Sequence, residues 1–145
     1  MYFTPRGMDQ TTQRVLDCPT AQRFIDVILN NEDLSAFFRK FGWERIAVCG
    51  ANHFCQTLIR LLEKKDIIIE EVFDKNYFKF GGGRYMGIPV KGYLELDKME
   101  FPDVFVVTSN FYYNDIVDEL IKYKVPLERI ISINDVLFGI RRLDT

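Results

Sequence analysis

Gly50, Asn52 and Cys55 stand in order at the three places of a G-x-G-x-x-G phosphate loop, and only the first is glycine. Such a loop uses its first glycine for the tight turn, its second to admit a pyrophosphate and its third for helix–strand packing. Asn tolerates left-handed backbone geometry better than most residues, so Asn52 lets the turn form. Its side chain, however, enters the space a pyrophosphate would take. Cys55 is small enough to serve in packing. The helix that follows still offers N–H groups to an anion, with Ala51 and His53 beside the turn as candidate contacts. Three readings stay open: a dinucleotide, a smaller nucleotide or sugar nucleotide, or a vacant site.

Asp74 follows Gly50 by 24 residues, near the offset at which an acidic residue reaches ribose hydroxyls. A carboxylate there repels a 2′-phosphate, which favours NAD-like over NADP-like ligands. The plainer reading is a strand-end carboxylate that caps the next turn. Thr108, Ser109 and Asn110 close a later strand, at the sheet edge where open α/β folds bind ligands. Ser109 and Asn110 can hydrogen-bond a ribose or base, or simply make the turn. Phe111-Tyr112-Tyr113 and Tyr77-Phe78 with Phe80 are expected near that same edge, stacking on a ligand or burying against a partner.

His53, the one histidine, lies between Cys49 and Cys55. A metal reading lacks a fourth ligand and a second C-x-x-C, so no metal site is assigned. A nucleophilic role for Cys55 would need an exposed thiolate, and packing explains it better. The chain has no Tyr-x-x-x-Lys pair, G-x-S-x-G elbow, P-loop or HExxH motif. No catalytic residue is assigned.

The elements that must position these residues follow from periodicity. Ile46–Cys49 is a continuous apolar run, as a strand buried on both faces requires. Phe54, Leu58, Leu61 and Leu62 share one face of the following helix, and Ile67–Asp74 is the second strand. Lys75–Arg84 reads as a loop whose most flexible part is Gly81-Gly82-Gly83. Tyr85–Lys91 holds a short strand that Pro89 confines to an edge. Tyr93–Met99 is a short helix, Val104–Thr108 a strand, Asn114–Lys124 a helix and Arg129–Ile133 the last strand. Asn134 is placed to cap a terminal helix carrying Val136, Leu137 and Phe138.

Before the first strand, residues 1–17 read as a weakly patterned arm. A helix from Pro19 to Asn30 and a second through Leu34, Phe37, Phe38 and Phe41 form a hairpin that leads into the sheet. The expected fold is α/β: a Rossmann-like parallel sheet of order 3-2-1-4-5 flanked by helices. Residues 1–42 make the arm and hairpin, and residues 43–145 the nucleotide-binding domain.

At 145 residues the chain has one domain's length, with 48% hydrophobic, 28% charged and 14% aromatic residues. A net charge of −2 without a basic stripe argues against nucleic-acid binding. No apolar run reaches the roughly 18 residues of a bilayer span. The first ten residues lack the basic-then-apolar order of a signal peptide, and three cysteines form no disulfide framework. A cytoplasmic setting is expected.

Several segments carry a likeness to a known family. They are Gly50-Ala51, Val72-Phe73-Asp74, Gly87-Ile88-Pro89-Val90, Val107-Thr108-Ser109 and the closing Ile130–Leu137. Together, from about Trp43 to Phe138, the chain resembles a small Rossmann-type domain of bacterial surface-polysaccharide machinery. Such domains form the nucleotide-binding front end of sugar acyltransferases and nucleotide-sugar dehydratases, and occur beside glycosyltransferases. The resemblance implies binding of a nucleotide or nucleotide-sugar, in some members without chemistry of their own. The expected function is an accessory, non-catalytic domain of glycan biosynthesis. The alternatives are an NAD-binding oxidoreductase subunit and a ligand-free module that forms homo-oligomers, or meets a partner protein, through its aromatic loops and N-terminal hairpin.

Overall fold

The computed structural model describes residues 10–139. The first nine residues of the expected N-terminal arm lie outside that range. Residues 10–17 do not form an arm. They begin α1 (Gln10–Leu29), a helix that runs through Pro19. α2 (Ser35–Lys40) follows after a short turn.

A six-stranded, mostly parallel sheet forms around β1 (Arg45–Cys49), whose last four residues are fully enclosed. β1 pairs in parallel with β2 (Ile68–Phe73) on one side and β5 (Val104–Val107) on the other. β6 (Ile130–Ser132) extends the sheet beyond β5. On the other flank, β4 (Ile88–Lys91) pairs in parallel with β2 and antiparallel with the two-residue β3 (Arg84–Tyr85). The strand order is β3-β4-β2-β1-β5-β6.

Pro89 therefore does not place its own strand at the edge. β3 pairs with Ile88 and Pro89, while β2 pairs with Val90 and Lys91, so β4 changes neighbour at the residue that lacks an N–H. The expected single strand is a hairpin, because Met86 and Gly87 both adopt positive φ (53° and 83°) as a two-residue turn requires. The loop before it is partly ordered into 3₁₀ turns at Tyr77–Lys79 and Gly81–Gly83.

Side chains alternate across the strands and feed two core clusters. Ile46, Val48, Val72, Val104, Val106 and Ile131 pack with α1, α2, α3 (His53–Leu62) and α5 (Ile133–Phe138). Ala47, Cys49, Phe73, Phe105, Val107 and Ile130 pack with the 3₁₀ segment Tyr93–Lys98 and α4 (Tyr113–Lys122). Phe24, Val27, Phe37 and Phe38 join the first cluster, so the N-terminal helices share a core with the sheet. Among the described residues, no helix is long and apolar enough to cross a membrane.

The cap of α5 is Ser132 and not Asn134, which lies inside the helix. Ser132 Oγ accepts from the Asp135 N–H, and Asp135 accepts from the Ser132 N–H, a reciprocal capping box. Ser132→Ala should lower unfolding free energy by about 1 kcal/mol, the usual worth of such a cap. Urea titration would show it, and an unchanged midpoint would remove the cap from the account of α5.

Candidate functional site

The carboxyl ends of β1, β2 and β5 meet at a turn built on Gly50. Its φ is 108°, so the positive φ belongs to Gly50, while Asn52 is extended at φ −129°. The Gly50 N–H donates to the Phe73 carbonyl at 2.8 Å, tying the turn to β2. Thr108 ties it to β5. The buried Thr108 hydroxyl lies 2.6 Å from the Gly50 carbonyl and 3.0 Å from that of Cys49.

Asp74 closes the turn from a third direction. One carboxylate oxygen accepts from the Ala51 N–H at 2.8 Å and the other from the Asn76 N–H at 2.8 Å. Each oxygen keeps a further lone pair for a hydroxyl donor. The turn-capping role expected as the plainer reading is therefore present, and it leaves acceptor capacity.

Asn52 is the N-cap of α3. Its Oδ1 accepts from the Cys55 N–H at 3.0 Å, and its amide donates to the Thr108 carbonyl at 3.3 Å. The side chain thus takes one of the N–H groups that a glycine loop would leave to phosphate. Tyr85 covers the turn from the other side, its hydroxyl 3.3 Å from the Asn52 carbonyl.

Beside the turn opens a cleft of about 870 Å³. Gly50, Ala51, Asn52, Asp74 and Ser109 line it, so five of the expected contacts converge. Three do not. His53 is exposed outside the cleft. Thr108 is spent on positioning Gly50. Asn110 turns to the N-terminal helix, its amide 3.0 Å from both Asp17 Oδ1 and Thr20 Oγ1, and its Oδ1 accepts from Asn134 at 2.8 Å.

The far wall holds residues that pattern reading passed over. Lys75 and Lys79 come from the segment after β2, and Asp115, Asp118 and Glu119 from α4. The three acids follow i, i+3, i+4 spacing, so one helix face carries them, a signal present in the sequence. The lysines directly follow a strand end at the carboxyl edge, a position that could also have marked them. Ser109 accepts from the Tyr112 N–H at 2.9 Å, which orients the loop that brings Tyr112 to the cleft.

The aromatic loops separate. Tyr112 lines the cleft, and Tyr77 packs so closely on Gly92 that a Cβ there would meet its ring at 2.6 Å. Phe80 instead packs edge-on against Tyr85, with the core cluster that holds α3.

Neither buried thiol suits nucleophilic work. Burial pushes the Cys55 thiol up to about 12 and raises that of Cys49 further from neutrality. The Tyr93 hydroxyl, bonded to Cys49, is also raised well above its ordinary value by burial. Among the described residues, no group of three or more His, Cys, Asp or Glu could hold a metal ion. The cleft offers hydroxyl acceptors, two ammonium groups and an aromatic wall: chemistry for holding a polar ligand.

A family model described as C2185-like, N-terminal, matches residues 42–131. The chain belongs to that family. The family region contains β1 to β5, the first two residues of β6 and every cleft residue named above, while α1, α2 and α5 lie outside it. No curated protein matches the chain.

Proposed function

We propose that this domain is an accessory, non-catalytic, Rossmann-like module whose cleft binds a nucleotide or nucleotide-sugar in glycan biosynthesis. The observation that carries the reading is the cleft's place, at the carboxyl ends of β1, β2 and β5. There the chain turns from one half of the sheet to the other, the position at which open parallel sheets take ligands. The order β4-β2-β1-β5-β6 within the sheet supports the Rossmann-like assignment. The resemblance to polysaccharide-assembly domains supports the pathway.

In this reading Asp74 accepts ribose hydroxyls through its remaining lone pairs, and Lys75 and Lys79 take the phosphates. The acidic face of α4 accepts hydroxyl donors from a sugar. An NAD-binding subunit is the alternative, favoured by the offset of Asp74, but Asn52 fills the place of the second glycine. The exposed Phe78 beside Tyr77 gives a partner protein an apolar foothold near the cleft. Three free cysteines suit a reducing cytoplasm.

A thermal-shift panel with NAD, NADP, UDP, UDP-sugars and CoA tests this. A ligand at 100 times its dissociation constant adds about 2.7 kcal/mol, a rise of several degrees for a domain of this length. The expected result is a selective rise with a nucleotide or UDP-sugar, lost in the double variant Lys75→Gln/Lys79→Gln. Asp74→Ala is the poorer probe, because it also unlatches the Ala51 N–H. No rise with any of the five overturns the proposal, and a rise confined to NAD selects the alternative.

A further inference from the structure

Asn110 lies between Ser109 and Tyr112, the residues that the β5–α4 loop sends into the cleft. Its own side chain joins a closed ring of hydrogen bonds. The Thr20 hydroxyl donates to Asn134 Oδ1 at 2.7 Å, the Asn134 amide to Asn110 Oδ1 at 2.8 Å, and the Asn110 amide to Thr20 Oγ1 at 3.0 Å. Each member gives one of these bonds and accepts one. Turning over either amide alone would set N–H against N–H or oxygen against oxygen between the two asparagines. The Asn110 amide also reaches Asp17 Oδ1 at 3.0 Å and the Leu16 carbonyl at 3.3 Å, so turning over both would face its oxygen to a carboxylate. The ring joins α1, α5 and the cleft loop around a Thr20 that is 1% exposed, where water does not compete for the bonds.

α1 depends on the same contacts. Pro19 has no N–H to give the Val15 carbonyl, so the helix is weakened just ahead of Thr20. None of residues 14–19 is buried, whereas Phe24 and Val27 beyond them enter the core. The bonds from Asn110 to Leu16, Asp17 and Thr20 hold this first half of the helix against the sheet's carboxyl edge.

We propose that Asn110 is a positioning residue of the cleft: through the ring, the docking of α1 sets the loop that carries Ser109 and Tyr112. Thr108 fixes the start of that loop and α4 takes over at Tyr113, so Asn110 is placed to govern its middle. A helix outside the family-matched segment thereby controls the shape of the site. The coupling runs both ways, and a ligand that favours the set loop favours docked α1 by the same factor. That last consequence rests on the nucleotide reading of the cleft; the link between α1 and the loop does not.

Hydrogen exchange of the ligand-free protein, read by NMR at the Tyr112 N–H, tests it. That N–H donates to Ser109 Oγ at 2.9 Å, so its exchange reports whether the loop keeps its shape. Thr20→Val keeps the outline of the side chain and removes the hydroxyl. Thr20→Ser keeps the hydroxyl and removes a buried methyl. Exchange should be at least about fivefold faster in Thr20→Val, the worth of one net hydrogen bond, and within about twofold of wild type in Thr20→Ser. A packing role alone would give the opposite order. Asn134→Ala opens the ring from α5 and should speed the same amide as much as Thr20→Val does. A wild-type rate in Thr20→Val or Asn134→Ala, or a Thr20→Ser rate as fast as that of Thr20→Val, overturns the proposal. No ligand enters the measurement, so its failure is distinct from a failure of the thermal-shift panel.

Discussion

Gly50→Ala will lose about 3 kcal/mol of unfolding free energy. Two physical effects combine. An L-residue held at φ 108° carries backbone strain of about 1–3 kcal/mol. The added Cβ would also sit 2.8 Å from Thr108 Oγ1. That hydroxyl must then swing away from the Gly50 and Cys49 carbonyls and forfeit a hydrogen bond worth about 1 kcal/mol. Gly42→Ala is the control. Gly42 also has positive φ, 73°, but nothing lies within 4 Å of its added Cβ, so strain alone should cost about 1 kcal/mol. Urea titrations of both variants separate the two effects. Equal losses would mean that Thr108 does not crowd Gly50.

Phe73→Ala should be the more damaging change, at about 3–5 kcal/mol. Phe73 is fully buried at the end of β2, its ring stacked on Tyr93 at 5.7 Å and tilted against Phe105 at 6.1 Å. Truncation leaves a cavity under the cleft floor, between two strands and the 3₁₀ segment that supplies Tyr93. Phe73→Leu keeps most of the volume and should cost far less, about 1–1.5 kcal/mol. With total stability of about 5–15 kcal/mol for a domain, the alanine variant stands near the threshold of folding. A loss under 2 kcal/mol would show that the second core cluster collapses around the gap.

The parts of the fold that one periodicity governs were legible in the residues themselves. The runs Ile46–Cys49 and Val104–Val107 are buried on both faces and the stripe Phe54-Leu58-Leu62 turns to one core, so pattern and structure agree to within a residue or two. Residues 10–17 defeated the same logic because Val15 and Leu16 are apolar yet exposed, which blurs the core-facing stripe of α1. The Met86-Gly87 turn lacks the Asn-Gly or Asp-Gly signature that marks tight hairpins, so β3 and β4 read as one strand. Ser132 and Asp135 did spell a capping box, but Ser132 also ends a strand, and Asn134 was the more visible polar residue.

The site was legible by half. Gly50 and Asp74 betray a strand–turn–helix–strand unit through their spacing. The duties of Thr108 and Asn110 depend instead on contacts 58 and 90 residues away in sequence. Only the folded chain shows that one braces the turn and the other fastens α1. Lys75 and Lys79 follow the carboxyl end of β2, a position that marks the segment, but a loop without periodicity does not say which of its side chains reach the cleft.

The ends of the sheet bear on how the molecule avoids aggregation. An exposed strand can template the addition of another chain by offering a row of unpaired N–H and carbonyl groups. Here one border is the two-residue β3, followed inward by a proline with no N–H to give, and the other border is the three-residue β6. Both rows are short, so the two border strands offer a foreign strand little to pair with.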